Sequence, residues 1–163
     1  MKTTSESPSL TDTFGRAFHY LRLSVDDSCN FRCVYCLPQG FQRTQADPPL
    51  SVDEVRRLAR AFAGLGFWKV RLTGGEPTAR RDVLELAAAV AETPGVRQVA
   101  LSTNAYRLVE LVDGLKAAGV GSVNVSVDSL EPRRFAEITG HDKLPVVLAG
   151  VDAALAAGLK TKV

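Results

Sequence analysis

The sequence predicts an α/β fold, a parallel sheet whose strands are joined by helices, open or barrel-like in form. Three observations predict it. Short β-rich runs alternate with stretches of helical apolar spacing, strand then helix four times over. That alternation implies a parallel sheet with right-handed crossovers. At 163 residues the chain has the length of one domain with one core. The units share architecture rather than a sequence repeat, and no low-complexity segment interrupts them.

Residues 1–13 read as a flexible lead-in, rich in Ser and Thr and without periodicity. "YLRLSV" (20–25) reads as a strand that feeds a cysteine-bearing loop. "SVDEVRRLARAFAGLG" opens a helix with a capping box, Ser51 with Glu54, and sets Val52, Val55, Leu58, Ala59, Phe62 and Leu65 on one face. "KVRLTGG" (69–75) is the next strand, ending in glycines, and "RDVLELAAAVAET" is a helix closed by Pro94 and Gly95. "QVALSTN" (98–104) is a third strand, followed by a helix carrying Leu108, Leu111, Val112 and Leu115. "SVNVSVD" (122–128) is a fourth strand, and Pro132 suits the first turn of the short helix after it. A longer helix over about 144–157 meets Gly158, a residue suited to ending it. "KTKV" then reads as the opening of a fifth strand. A fifth strand without its helix would leave an exposed edge and an unclosed barrel. That edge is a warning about completeness, and the core domain is expected over 14–163.

Composition excludes several classes. Apolar residues make up 45% and charged residues 23%, ordinary values for a globular protein. A net charge of +2 argues for neither nucleic acid nor membrane as partner. The N-terminus is polar and lacks the apolar core of a signal peptide. No stretch approaches the roughly 18 apolar residues of a membrane span; "PVVLAGVDAALAAGL" is broken by Asp152. A cytoplasmic protein with reduced thiols is expected.

All three cysteines fall within "SCNFRCVYC", residues 28–36, spaced Cys29-x3-Cys33-x2-Cys36. A cubane iron–sulfur cluster normally takes four thiolates, so three leave one iron with an open position for a chelating small molecule. The loop follows a strand, which puts it at the C-terminal ends of the strands, where parallel α/β folds carry their chemistry. The alternative is a zinc site with His19 or His141 as fourth ligand, although neither has a motif around it. Arg22, Arg71 and Lys162 interrupt otherwise apolar strands. A charge there must reach a barrel mouth, a carboxylate or an anionic ligand, and salt bridges are the plain alternative. In "TGGEP" (73–77) the glycines permit close approach of backbone to a ligand, and Glu76 offers an acceptor for an ammonium group. A tight strand-to-helix turn accounts for the same residues. Ser126, mid-strand, reads by itself as a strand serine with a satisfied hydroxyl.

"CNFRCVYC" resembles the CxxxCxxC signature of radical S-adenosylmethionine enzymes, with an aromatic residue, Tyr35, before the third cysteine. "YLRLSVDDSCNFRCVYCLP", "KVRLTGGEPTARRD", "STNAYRL" and "GSVNVSVDSLEPRRFAEITG" look more specifically like the molybdenum cofactor biosynthesis protein A family, the GTP 3′,8-cyclases, from about residue 12 to the end. The resemblance implies the N-terminal part of a partial (βα)6 TIM-like barrel, about four βα units plus the start of a fifth strand. It implies that Cys29, Cys33 and Cys36 hold a four-iron, four-sulfur cluster whose open iron binds S-adenosylmethionine. Tyr35, Gly75 and Ser126 match positions that contact S-adenosylmethionine, Tyr35 through its backbone. Arg22, Arg71, Ser102 and Lys162 match positions that contact GTP, with Ser102 where Thr is usual.

The implied reaction starts with abstraction of the ribose 3′ hydrogen of GTP by an adenosyl radical, then closure of that carbon on C8 of guanine. A flavodoxin- or ferredoxin-like electron donor, a downstream cyclic pyranopterin monophosphate synthase and a homodimer at full length belong to the same implication. Two departures stand out. The family's second cluster needs three further cysteines, and none follows Cys36; Ala105 replaces a usual Gly. The expectation is an N-terminal fragment that binds the first cluster poorly as an isolated piece and does not turn over GTP by itself. The competing readings are another radical enzyme with a different substrate and a non-catalytic cluster- or zinc-binding module.

Overall fold

A computed structural model describes residues 10–41 and 48–163. Most of the expected flexible lead-in, residues 1–9, lies outside the described residues. Its last residues differ from that expectation. Asp12 accepts hydrogen bonds from Phe14 N and Arg16 N, and Thr11 bridges Ala17 in antiparallel fashion, which makes a turn of residues 10–18.

The elements run β1 (Tyr20–Ser24), α1 (Val52–Gly64), β2 (Lys69–Thr73), α2 (Val83–Ala91), β3 (Gln98–Thr103), α3 (Leu108–Ala117), β4 (Val120–Val125), α4 (Pro132–Thr139), α5 (Leu144–Ala156) and β5 (Lys160–Lys162). All neighbouring strands pair in parallel, and the sheet order is the chain order, β1-β2-β3-β4-β5. Sequential order with right-handed crossovers sends every connection over the same face of the sheet. This is the wall of a barrel rather than a doubly wound sheet, and it is open, with β1 and β5 at its edges.

The two faces of the wall are chemically opposite. One carries Val70, Leu72, Val99, Leu101, Val123 and Val125, buried against Val55, Leu86, Val90, Leu108, Leu115 and Val147 of the helices. Each large apolar side chain buried there contributes about 1.5–3 kcal/mol. Alternation leaves Arg22, Arg71, Ser102, Asn124 and Lys162 on the other face. The core thus lies under the helices, and the bare face is polar and basic.

The capping box of α1 forms as its sequence dictates: Ser51 Oγ accepts from Glu54 N, and Glu54 accepts from Ser51 N. Pro132 starts α4, and Gly158, at φ 76°, follows α5 in the left-handed conformation. The strands are shorter at their C-terminal ends than the sequence implies. Ser126 lies one residue past β4, not within it, although its N–H still donates to Thr103 O. β4 also starts earlier, at Val120, because the register shifts between Val99 and Ala100 and accommodates Gly121 as a bulge. A single 3-10 turn, Pro77–Ala79, stands between β2 and α2.

Candidate functional site

Beyond their C-terminal ends the strands become loops, and β1 leads into the one that holds the cysteines. That loop is tied to the next strand by backbone bonds. Val25 N donates to Thr73 O, Gly75 N to Asp26 O at 2.8 Å, and Glu76 N to Ser28 O at 2.7 Å. A Cβ on Gly74 would collide with Asp26 O, and one on Gly75 with Ser28 O. The glycines of "TGGEP" are thus required first by the neighbouring backbone, a reason the sequence does not reveal.

Glu76 corrects another expectation. It is 1% exposed, and both carboxylate oxygens are engaged. Oε1 accepts from Thr78 N at 3.0 Å, Thr78 Oγ1 at 2.6 Å and Thr103 Oγ1 at 2.8 Å; Oε2 accepts from Asn104 N at 2.6 Å. It is an internal hub that joins the ends of β2 and β3, not a free acceptor for an ammonium group. Asn104 Nδ2 carries the connection on to Asn30 Oδ1, 2.8 Å away in the cysteine loop.

Within that loop Cys36 N and Leu37 N both donate to Cys33 O at 2.9 Å, folding residues 33–37 into a turn that carries Cys33 and Cys36. Cys36 is exposed, while Cys29 and Cys33 are half-buried. Burial pushes both half-buried thiols above the ordinary cysteine value; the Glu76 charge adds to this at Cys29 and the Asp128 charge at Cys33. Each of the two also feels Cys36, which places all three thiols within electrostatic reach of one another.

Tyr35 Oη donates to both carboxylate oxygens of Asp128, at 3.0 and 3.1 Å, and so bridges from the cysteine loop to the segment after β4. Desolvation of the hydroxyl and the Asp128 carboxylate raise its pKa well above the usual phenol value. As the residue is 66% exposed, the carboxylate is the better-founded of the two causes.

These elements line an open cavity of about 390 Å³. The residues that the family resemblance singled out all line it: Cys29, Cys33 and Cys36 with Tyr35; Gly75 and Ser126; and Arg22, Arg71, Ser102 and Lys162. The basic residues meet by register. Arg22 pairs with Arg71 across β1 and β2, and Ser102, Asn124 and Lys162 align across β3, β4 and β5.

None of the ion pairs among the described residues involves Arg22, Arg71 or Lys162, so salt bridges do not account for them. Arg71 Nη1 donates weakly to Ser102 Oγ at 3.4 Å, while Arg71 Nε is buried without a hydrogen-bond partner among the described residues. A buried guanidinium donor left unmatched is costly, and it points to an acceptor supplied by a ligand.

The structure adds lining residues that the sequence reading passed over. Asn124 and Thr73 could have been found from strand alternation, since they share the face of Ser102 and Arg71. Asp128 carries no comparable signal, because its partner Tyr35 is remote in sequence.

The zinc alternative gains no support. His19 O accepts from Trp68 N and Lys69 N where β2 begins, at the opposite end of the sheet from the cysteines, and its ring stacks on Trp68. His141 stacks on Phe31, and neither histidine lines the cavity. Among the described residues no three His, Cys, Asp or Glu side chains converge as a site for a single ion. Zinc draws its ligands to one centre, whereas a cubane takes each thiolate at a separate corner.

A one-sided parallel α/β wall, with a three-cysteine loop at the C-terminal ends of its strands, defines the class as a barrel-type α/β protein. Residues 23–163 match the radical SAM superfamily, and the chain belongs to it.

The chain is similar to a GTP 3′,8-cyclase of Klebsiella pneumoniae subsp. pneumoniae, with 57% identity over 157 residues, 94% of this chain and 48% of that protein. A GTP 3′,8-cyclase of Cronobacter sakazakii is 57% identical over 153 residues, 93% of this chain and 46% of its own length. The chain thus spans about half the length of these relatives. Among solved structures, HydG, a maturase of the [FeFe]-hydrogenase, superposes with a TM-score of 0.72 at 20% identity over 86% of this chain and 33% of its own. Streptococcus suis SuiB, bound to S-adenosylmethionine, does so with a TM-score of 0.67 at 21% identity over 88% of this chain and 31% of its own. At such identities these two establish the fold alone.

Proposed function

We propose that this chain forms the cofactor-holding and phosphate-holding part of a radical SAM GTP 3′,8-cyclase, a lyase-type enzyme of molybdenum cofactor biosynthesis. The observation that carries the reading is the shared cavity, lined by three cysteines and by three cations that make no ion pair among the described residues. The 57% identity to proteins named GTP 3′,8-cyclase supports the choice of substrate.

Cys29, Cys33 and Cys36 would hold three corners of a four-iron, four-sulfur cluster. When bound, that group supplies the electron that activates S-adenosylmethionine for radical chemistry. The chain's own residues orient and enclose. Tyr35, its phenol tied to Asp128, offers its main chain to S-adenosylmethionine. Gly75 and the exposed Ser126 stand across the cavity as the other contacts. Arg22, Arg71 and Lys162 receive the anionic phosphates of GTP, for which the fork of an arginine is suited. The buried Nε of Arg71 takes an acceptor there, and the Ser102 hydroxyl adds a further hydrogen bond.

The second cluster, the electron donor, the cyclic pyranopterin monophosphate synthase downstream, the homodimer and the cytoplasmic setting belong to the whole enzyme in this reading. The chain has three cysteines in all, so it offers no cysteine ligands for a second cluster.

Equilibrium binding of GTP, with Arg71→Ala beside the unsubstituted chain, tests the substrate assignment. Loss of a charge-assisted contact worth about 1.5–3 kcal/mol weakens binding by roughly tenfold or more. GTP affinity unchanged by Arg71→Ala, or no preference for GTP over other nucleoside triphosphates, would count against it.

A further inference from the structure

We propose that the C-terminal turn of α4, Ile138–His141, is a clamp that holds Cys33 in position, with His141 and Gly140 as positioning residues. None of these four residues lines the cavity, so whatever they do for the thiols they do through the loop.

The clamp has three parts. Arg32 N donates to Thr139 O at 3.2 Å and Val34 N to Ile138 O at 2.9 Å. These bonds fall on the two residues that flank Cys33, so they fix its Cα from both sides. Next, the Phe31 ring lies stacked on His141, with centroids 5.3 Å apart and planes 25° apart, and meets Phe135 edge-on at 6.2 Å. Phe31 is 5% exposed and Phe135 fully buried, so α4 brings the loop into the core through one aromatic side chain. Last, Gly140 ends the helix at φ 72°, and a Cβ there would collide with the Arg32 side chain, whose Nε donates to Gly140 O at 3.3 Å.

The turn is itself rigid. Thr139 is 1% exposed, and its Oγ1 bonds Phe135 O at 2.8 Å and accepts from His141 N at 3.4 Å. The segment "RRFAEITGH" thus has a task apart from helix formation: it presents three carbonyls and a flat ring to the loop. The clamp stands whichever group the thiols hold.

The test reads the accessibility of individual thiols in the full 163-residue chain, by mass-spectrometric rates of iodoacetamide alkylation without metal. His141→Ala removes the stacking partner and should raise the alkylation rate of Cys33 about fivefold or more. His141→Phe keeps a flat ring and should restore the original rate. Val90→Ala, on the buried face of α2, serves as a control for general loosening and should leave the Cys33 rate unchanged. Gly140→Ala offers an independent disturbance and should also accelerate Cys33. An unchanged Cys33 rate in a folded His141→Ala chain overturns the clamp. So does an equal rise in Val90→Ala, which would mean global opening. Failure of His141→Phe to rescue overturns it as well, because the imidazole itself would then be the active element. Should Gly140→Ala not fold, the His141 pair still decides.

Discussion

Glu76 gathers four donors onto two oxygens in a site closed to water. A glutamine there has the same shape but turns one acceptor into a donor. Either Asn104 N or the two threonine hydroxyls and Thr78 N would then face an amide N–H₂. A buried donor left unmatched costs about 1–3 kcal/mol, so Glu76→Gln should lower unfolding free energy by that amount in urea titration. An unaltered midpoint would show that the network does not bear on stability.

Ala105 poses the opposite case. It is fully buried at φ 60°, a left-handed conformation that costs a non-glycine residue about 1–2 kcal/mol. Removing its methyl loses about 0.8 kcal/mol of burial, and glycine's freer unfolded chain costs roughly 0.4–1 kcal/mol more. Ala105→Gly should therefore be nearly neutral. Ala59→Gly, equally buried but inside α1, pays both helix propensity and burial and should lose roughly 1.5–2 kcal/mol. Equal losses in urea unfolding would contradict the strain at Ala105. The sequence showed where the usual glycine was missing; only the backbone angle shows what that means. The same holds more widely at this scale. Cysteine spacing and charges inside strands are legible because the chain itself carries them. The engagement of Glu76, the Tyr35–Asp128 bond and the backbone collision behind Gly74 and Gly75 depend on segments that meet only in the fold.

Elements were legible where local chemistry fixes them. The capping box, Pro132 and Gly158 each mark a terminus through hydrogen bonds or φ preferences confined to a few residues. Strand ends were less legible, since a strand stops where its neighbour stops pairing, and Gly74, Gly75, Asn104 and Ser126–Asp128 look like strand while already belonging to loops. The short helix α4 was legible as a helix but not as a support for the cysteine loop. Its junction also predicts a pH effect. Burial, and behind it the Arg32 and Lys143 charges, lower the His141 pKa below the ordinary imidazole value. The unfolded chain then takes up a proton at higher pH than the folded chain does. Stability falls as pH drops from the ordinary histidine value, near 6.5, through the lowered folded one. Thermal midpoints measured from pH 7.5 down to 5.5 should drop further for the unsubstituted chain than for His141→Phe. Parallel curves would remove His141 from the account.

At the scale of the molecule, a sequential parallel sheet puts helices on one face and leaves the other to chemistry. Strand alternation then assembles the basic wall without any motif for it: Arg22 beside Arg71, Ser102 in line with Lys162. The sequence pattern implied the parallel sheet but left open whether it was flat or barrel-like, because crossover direction is settled by strand order. No helix among the described residues is long and apolar enough to cross a membrane. The central claim is that three thiols leave one metal corner free beside the basic wall. Electron paramagnetic resonance on the chain, reconstituted with iron and sulfide under argon and then reduced, tests it most directly when recorded with and without S-adenosylmethionine. The account predicts, for whatever fraction takes up metal, a four-iron cluster signal that changes when S-adenosylmethionine binds, and no such signal after Cys29, Cys33 and Cys36 are replaced by Ser. A signal that survives those replacements, or one indifferent to S-adenosylmethionine, would contradict it.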